Sequence, residues 1–359
     1  MSRLPATPVV AAGTPALLSP LEQAILHTMQ DGFPLQATPF ALLADQLQTN
    51  AARLIACLEQ MLQKKMISRF GPLYNVERMG GAVTLAAMSI PEARFAEVAA
   101  QVNALPEVAH NYQRQHTLNM WFVLATESIA AQIHILDLIA ARTALPVFNF
   151  PKEREFHIGF RVALGSEGIH TAREKPPQRG QDGGRYAPYV SASADRAIVL
   201  ATQAGLPLHP QPYHVVAERI GLPPREVMER MHVMRTAGVI RRLGIIPNHY
   251  GLGLRMNGMT VWDVPEERMA FLGARVGDLE CVTHCYQRPR RLPEWPYNLF
   301  AMVHGRTRAE VDEKRLRIAA ILGQESRASD VLFSTRILKK NGLRLPDSAP
   351  APSPESLPC

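Results

Sequence analysis

At 359 residues, 47% hydrophobic and 20% charged, the chain has material for about two packed domains and does not fit the disordered class. Its 39 Lys and Arg against 32 Asp and Glu leave a formal charge of +7, which suits nucleic acid and small polyanions equally. Cys57, Cys281, Cys285 and Cys359 are too few and too scattered for a disulfide framework. No apolar run approaches the roughly 20 residues of a membrane span, so the chain reads as cytoplasmic with no membrane contact.

Residues 1–17 are broken by Pro5, Pro8 and Pro15 and carry only Arg3 as a charge. They lack the compact apolar core of a signal peptide and are expected to be flexible. From residue 18 to 80 three short helices are predicted. The first carries the stripe Leu21, Ile25, Leu26 and Met29, and the second covers about 40–47. The third is capped by Thr49 or Asn50, with Leu54, Cys57, Leu58, Met61 and Leu62 inward. An extended MISRFGPLYNV follows, and the whole reads as a winged helix-turn-helix. Residues 81–164 then give strand 82–90, helix 91–105, a hairpin pair 108–114 and 118–125, helix 128–143, and a closing VFNF with FHIGFRV. That β-α-β-β-α-β order is ferredoxin-like.

Residues 165–193 hold five glycines and three prolines without a period of 2 or 3.6, and read as a linker. The plan then repeats. Helices are predicted near 195–204, 212–220 and 224–237 within a second helix-turn-helix, 194–253. A second ferredoxin-like unit, 254–345, follows, and a loose tail 346–359 ends the chain. The repeat is in register: HNYQR at 110–114 answers HCYQR at 284–288, MISRFG at 66–71 answers VIRRLG at 239–244, and Pro91 answers Pro265. The expected fold class is therefore α+β, a tandem duplication of a winged helix-turn-helix plus a ferredoxin-like βαββαβ domain.

The repeated H-x-Y-x-R is the sharpest chemical feature. Side chains alternate along a strand, so His110, Tyr112 and Arg114 share one face, as do His284, Tyr286 and Arg288, with neighbours about 7 Å apart. Each row offers a proton donor, a phenol and a fixed cation; polar decoration of an exposed face is the plain alternative. In copy two the two hairpin strands are joined by RPRRLPEWPYN, where copy one has only RQHTLN. Arg290, Arg291, Trp295 and Tyr297 are expected over the sheet, with His304 just beyond, so that arginines clamp carboxylates and aromatic surface receives a flat ring. A solvated loop packed through its tryptophan is the alternative. Cys281, His284 and Cys285 do not make a zinc site: an extended strand separates the two sulfurs by about 13 Å, against a Zn–S bond of about 2.3 Å. The third helices carry Arg53 and Gln60 in copy one and Arg225, Arg230 and Arg235, beside Glu226 and Glu229, in copy two. Neither is a convincing base reader.

On LSPLEQAIL, MISRFGPLYN, HNYQRQHTLNMWFVLA and FPKEREFHIGFRV in one copy, and GVIRRLGIIPNHYGLG, THCYQRPRRLPEWPYNLFAMVHGR and VLFSTRILKKNGLRL in the other, the chain resembles the siroheme decarboxylases of heme d1 biosynthesis in their fused two-subunit form. These are related to the Lrp/AsnC regulators. The resemblance implies removal of CO₂ from the C12 and C18 acetates of siroheme to give 12,18-didecarboxysiroheme. It implies no cofactor or metal beyond the substrate's own iron. It also implies an intramolecular pseudo-dimer, with further homo-oligomers open. It makes His284 and Tyr286, with His110 and Tyr112, the catalytic candidates. Arg114, Arg288, Arg290, Arg291, Trp295, Tyr297 and His304 become substrate-binding candidates, in one productive pocket lined mainly by copy two. The competing expectations are a DNA-binding regulator that senses a tetrapyrrole, with specific DNA binding disfavoured, and a tetrapyrrole carrier.

Overall fold

The computed structural model describes residues 18–165, 168–172 and 189–340; the expected flexible start, the tail and most of the linker lie outside them. Helices α1 (Pro20–Met29), α2 (Pro39–Gln46) and α3 (Ala51–Gln63) lead into strand β1 (Ile67–Tyr74). Ser19 and Glu22 close a capping box on α1, and the Asn50 side chain accepts the Arg53 N–H at the start of α3. The first α/β unit runs β2 (Ala82–Met88), α4 (Phe95–Ala104), β3 (Val108–Arg114), β4 (Met120–Thr126), α5 (Ile129–Thr143), β5 (Phe148–Pro151) and β6 (Arg154–Ile158). A hairpin, β7 (Arg161–Gly165) with β8 (Gly168–Ala172), extends structure into the stretch expected as linker. Gln30 pins it at the end of α1, bonding both the N–H and the carbonyl of Val162 at 3.0 Å.

Copy two repeats the order as α6 (Ser193–Thr202), α7 (Pro212–Ile220), α8 (Pro224–Thr236), β9 (Ile240–Pro247), β10 (Met256–Asp263), α9 (Glu266–Gly277), β11 (Val282–Gln287), β12 (Leu299–Gly305), α10 (Arg308–Leu322) and β13 (Ala328–Lys340).

The two copies share their hydrogen bonds. The extended segments read as wings pair with each other: β1 lies antiparallel to β9, with Phe70 opposite Ile245 and Gly71 opposite Gly244. Both helical domains accordingly bury one apolar core, from Leu26, Phe40 and Leu58 to Tyr213, Met231 and Met234. The ferredoxin-like units join in one nine-stranded sheet, ordered β5-β2-β4-β3-β13-β10-β12-β11-β6. Its two edges, β5 and β6, are separated by only Lys152 and Glu153, so the sheet curls back on itself.

The closing strand of each copy is divided between the copies. β13 pairs with its own β10 through Gly258 and Phe333, then with β3 of copy one through Arg114 and Ser334. β5 stays on β2, while β6 crosses to β11 and sets Glu155 opposite Tyr286. A self-contained unit would leave β3 and β11 as bare edges; the exchange supplies their missing partners. On α9 the crossing is allowed by Gly273, because a Cβ there would lie 2.3 Å from the Phe156 ring.

Apolar clusters lie on both helical faces of the curled sheet and a third lies inside it: Trp121, Phe150, Met259, Val261, Trp295, Phe300 and Leu332. That inner cluster fills the end reached by the 288–298 loop. The opposite end of the cleft, where β2 and β10 enter from the helical domains, is lined by polar side chains.

Candidate active site

Strand alternation turns both H-x-Y-x-R rows into the curled sheet, where each leans on the other copy. The Arg114 guanidinium donates to the Leu332 carbonyl at 2.6 Å and lies 5.7 Å from the Tyr112 ring. Arg288 donates to the Phe150 carbonyl and lies 5.0 Å from the Tyr286 ring. Burial lowers both guanidinium groups to about 10, which leaves them cationic at neutral pH. The same burial pushes the Tyr112 and Tyr286 phenols up, so both stay protonated. His110 and His284 are each pushed down to about 4, first by burial and then by nearby cationic or imidazole groups. His304, 3% exposed, is pushed down to about 3 for the same first reason. Thr283 Oγ1 lies 3.1 Å from both His284 Nδ1 and His304 Nε2, and so connects the copy-two row to His304.

The loop candidates do something else. Trp295 is 0% exposed and packs in the inner core against Trp121, Phe150 and Phe300, with ring centroids 4.8, 5.6 and 5.7 Å away. It therefore offers no open face to a bound ring. Arg290 is held by Asp263 at 2.5 Å and Glu266 at 2.6 Å, and Arg291 donates to the Asn149 carbonyl at 2.6 Å. Neither guanidinium is placed to clamp an external carboxylate. The packed-tryptophan alternative describes this loop: it is a plug for the far end of the cleft. Tyr297 sits edge-on to Trp295 and lines a cleft of about 340 Å³ with His116, Phe148 and Glu294, at the end away from the two histidine rows.

The structure also brings in residues that lie outside the two H-x-Y-x-R motifs and the 288–298 loop. The segment after β9 places His249 and Tyr250 over the polar end of the cleft; the His249 ring centroid is 4.8 Å from His304 and 4.0 Å from Tyr250. Phe160 closes the group, 5.6 Å from His249 and 5.1 Å from His304. Asn257 stands opposite His304 in the β10–β12 register, and Ser334 opposite Arg114. On the copy-two side, Lys152 bonds Glu77 at 2.6 Å and Glu155 at 3.0 Å, and Arg241 lies within 3.9 Å of both carboxylates. A signal for these residues was present in the sequence. With the copies aligned at offset 173, His249 and Tyr250 stand where copy one has Val76 and Glu77.

Cys281 and Cys285 are buried free thiols; the Cys285 Sγ donates to the Gly273 carbonyl at 3.7 Å, away from His284. Among the described residues no group of three or more His, Cys, Asp or Glu is placed to hold a metal ion, and no helix is long and apolar enough to cross a membrane.

A pair of AsnC-like units carrying helix-turn-helix domains, with a cationic and polar cleft between them, defines a ligand-binding member of that class. The chain matches the AsnC-like ligand binding domain family over residues 78–157 and 251–339. It matches the siroheme decarboxylase NirDL-like HTH domain family over 22–67 and 195–241. The siroheme decarboxylase NirH subunit of Paracoccus pantotrophus is 55% identical over 153 residues, which are 43% of this chain and 95% of that protein. The siroheme decarboxylase NirDL subunit of Paracoccus denitrificans is 33% identical over 330 residues, 92% of this chain and 98% of that one. A crystal structure of siroheme decarboxylase NirDL in complex with an iron-uroporphyrin III analogue superimposes with a TM-score of 0.66 at 27% identity, covering 90% of this chain and 93% of that one. The chain belongs to the siroheme decarboxylase family.

Proposed function

We infer that this protein is a siroheme decarboxylase that converts the C12 and C18 acetates of siroheme to methyl groups, giving 12,18-didecarboxysiroheme. The observation that carries the reading is the inter-copy cleft, in which buried guanidinium, imidazole and phenol groups converge, in a chain of this family. In each event the bond between the acetate CH₂ and its carboxylate breaks and CO₂ leaves. The electron pair stays on carbon, delocalised into the macrocycle, until a proton completes the methyl group. The iron belongs to the substrate, and no step needs an added cofactor.

The chain's residues supply binding charge and the proton. Arg114 and Arg288 remain cationic when buried and suit peripheral carboxylates that stay in place. A carboxylate that leaves must be poorly paired, because a strong clamp on it would stabilise the ground state. The row histidines on their own are neutral at pH 7, and a polyanion beside them raises their affinity for a proton, which suits them to act as acids. The halves act as a pseudo-dimer, since each cleft wall draws on both.

The regulator alternative is weaker on the same grounds of charge. On α8, Arg225 bonds Glu229 at 2.7 Å and Arg230 is turned to the buried Asp195, which leaves Arg235 as the exposed arginine not drawn to an acid on the helix that would read bases. Anaerobic incubation with siroheme, read by mass, tests the reading: loss of one and then two CO₂ per substrate is expected. Tight, salt-dependent, sequence-selective duplex binding without turnover would replace it with the regulator.

A further inference from the structure

We propose that Thr283 is a positioning residue for the decarboxylation: braced by His304, its hydroxyl holds the Nδ1 edge of His284 and leaves Nε2 of that ring as the nitrogen that carries a proton to the substrate. The proposal deepens the decarboxylase reading and rests on it for the reaction. It also makes the two H-x-Y-x-R rows unequal, because the Nδ1 edge of His110 has no such support.

The first ground is a break in strand alternation. On β11, Val282 and Cys285 pack in the cluster on the helical face, whereas on β12 Phe300 and Met302 belong to the cluster inside the curled sheet, which puts His304 inside as well. The register of β11 on β12 slips between Val282 and His284, so Thr283 is an extra residue in the ladder, and the bulge re-aims it beside His284. Thr283 is buried, and its Oγ1 lies 3.1 Å from His284 Nδ1, 3.1 Å from His304 Nε2 and 3.3 Å from the Met302 carbonyl oxygen. A hydroxyl has one proton to give and two lone pairs to receive. The three contacts use all of these when both imidazoles donate to Oγ1 and the hydroxyl donates to the Met302 carbonyl. His284 is then the Nδ1–H tautomer with Nε2 bare, so the bond made by one ring nitrogen sets the task of the other. A proton taken from solvent at Nε2 gives the imidazolium. Passing it to the carbanion left by CO₂ restores the same Nδ1–H ring, with the hold on Thr283 unbroken.

The second ground is the repeat. At the matching place β3 slips on β4 in the same way, between Val108 and His110, so copy one carries the same bulge. Its bulge residue is Ala109 where copy two has Thr283, and Ala125 stands where copy two has His304. The hydroxyl and the second imidazole are thus missing together from copy one, although its H-x-Y-x-R is intact. His110 Nδ1 is accordingly buried without a hydrogen-bond partner, where His284 Nδ1 has Thr283. The backbone device is common to both rows, and the hydrogen-bonding device belongs to one. A donor held in place delivers its proton far better than one free to turn. The arrangement therefore gives proton delivery to His284 and leaves His110 to binding.

Histidine ¹⁵N spectra of the ligand-free full chain at neutral pH, with His284→Gln and His304→Gln identifying the signals, test the hydrogen bonding without turnover. His284 is expected as the Nδ1–H tautomer and His304 as the Nε2–H tautomer. Thr283→Val, which keeps the shape and removes the hydroxyl, should lower both shares. Siroheme decarboxylation and titration with iron-uroporphyrin III, followed by absorbance, test the consequence. In Thr283→Val kcat should fall by about tenfold or more, while KM and porphyrin affinity stay within about twofold of the parent chain. Thr283→Ser restores the hydroxyl and should recover most of kcat. A parent chain with His284 in the Nε2–H form, an unchanged kcat in Thr283→Val, or a Thr283→Ser no faster than Thr283→Val would overturn the assignment. The expected tautomers in a chain that releases no CO₂ from siroheme would keep Thr283 as the holder of His284 and remove the reaction. Full turnover with the wrong tautomer would keep the reaction and remove the role of Thr283.

Discussion

His304 is buried and His110 and His284 are half-buried deep in the cleft, and desolvation, offset only at His284 by Glu155, pushes them down to about 3, 4 and 4. The sign of the consequence follows from linkage. In the unfolded chain an imidazole takes its proton near 6.5, whereas in the fold these three resist until well below it. Between those values the unfolded state binds more protons, so stability falls as pH falls from about 6.5 towards 4. Thermal melts between pH 7.5 and 5, where most carboxylates stay ionised, should show a steady loss. His110→Gln and His284→Gln should each flatten the slope while leaving the neutral-pH melt little changed. An unaltered slope in both variants would mean that the buried imidazoles do not titrate as described. The residues of the two rows were legible because a strand's period of two makes H-x-Y-x-R a facing set. His249, Asn257 and Ser334 were not, because they come from three separate segments of copy two, which the strand exchange sets beside Arg114 of copy one.

The loop between β11 and β12 shows how a local reading of composition can mislead. Three arginines and two aromatics in one stretch suit an anionic ring, but they equally suit a plug, in which the arginines bond carbonyls and acids while the aromatics fill the core. Which use prevails depends on Asp263, Glu266, Phe150 and Trp121, all distant in sequence. Trp295→Ala should cost about 3–5 kcal/mol, the range for emptying a large aromatic site, read as a shift in denaturant midpoint. Trp295→Phe should cost clearly less, since it keeps ring contacts and removes an indole N–H that has no partner. If Trp295→Ala instead lowered porphyrin affinity at unchanged stability, the loop would be a binding element after all. The predicted helices and strands fared better than this loop because apolar periodicity is a property of the segment itself: α7 begins at Pro212 and α5 ends at Thr143 where the pattern places them.

The duplication could be read from sequence, but not the degree to which its halves are joined, because strand exchange leaves each half's own pattern unchanged. Among the described residues contacts cross between the halves at β1 with β9, β3 with β13 and β6 with β11, in one apolar core under both helical domains, and in the inner cluster around Trp295. Each half alone would expose a strand edge and half of a core, which is the surface chemistry of aggregation. The covalent connection between Ala172 and Tyr189 is then expected to matter for assembly rather than for holding the finished molecule together. A protease site inserted there and cut after folding should leave one particle with the elution volume of the intact 359-residue chain, its melting temperature nearly unchanged and its porphyrin binding retained. Halves expressed apart should be poorly soluble singly and recover porphyrin binding when refolded together, since each H-x-Y-x-R strand is paired with a strand of the other half. Separation of the cut halves on a sizing column, or porphyrin binding by either half alone, would contradict this account of the shared sheet.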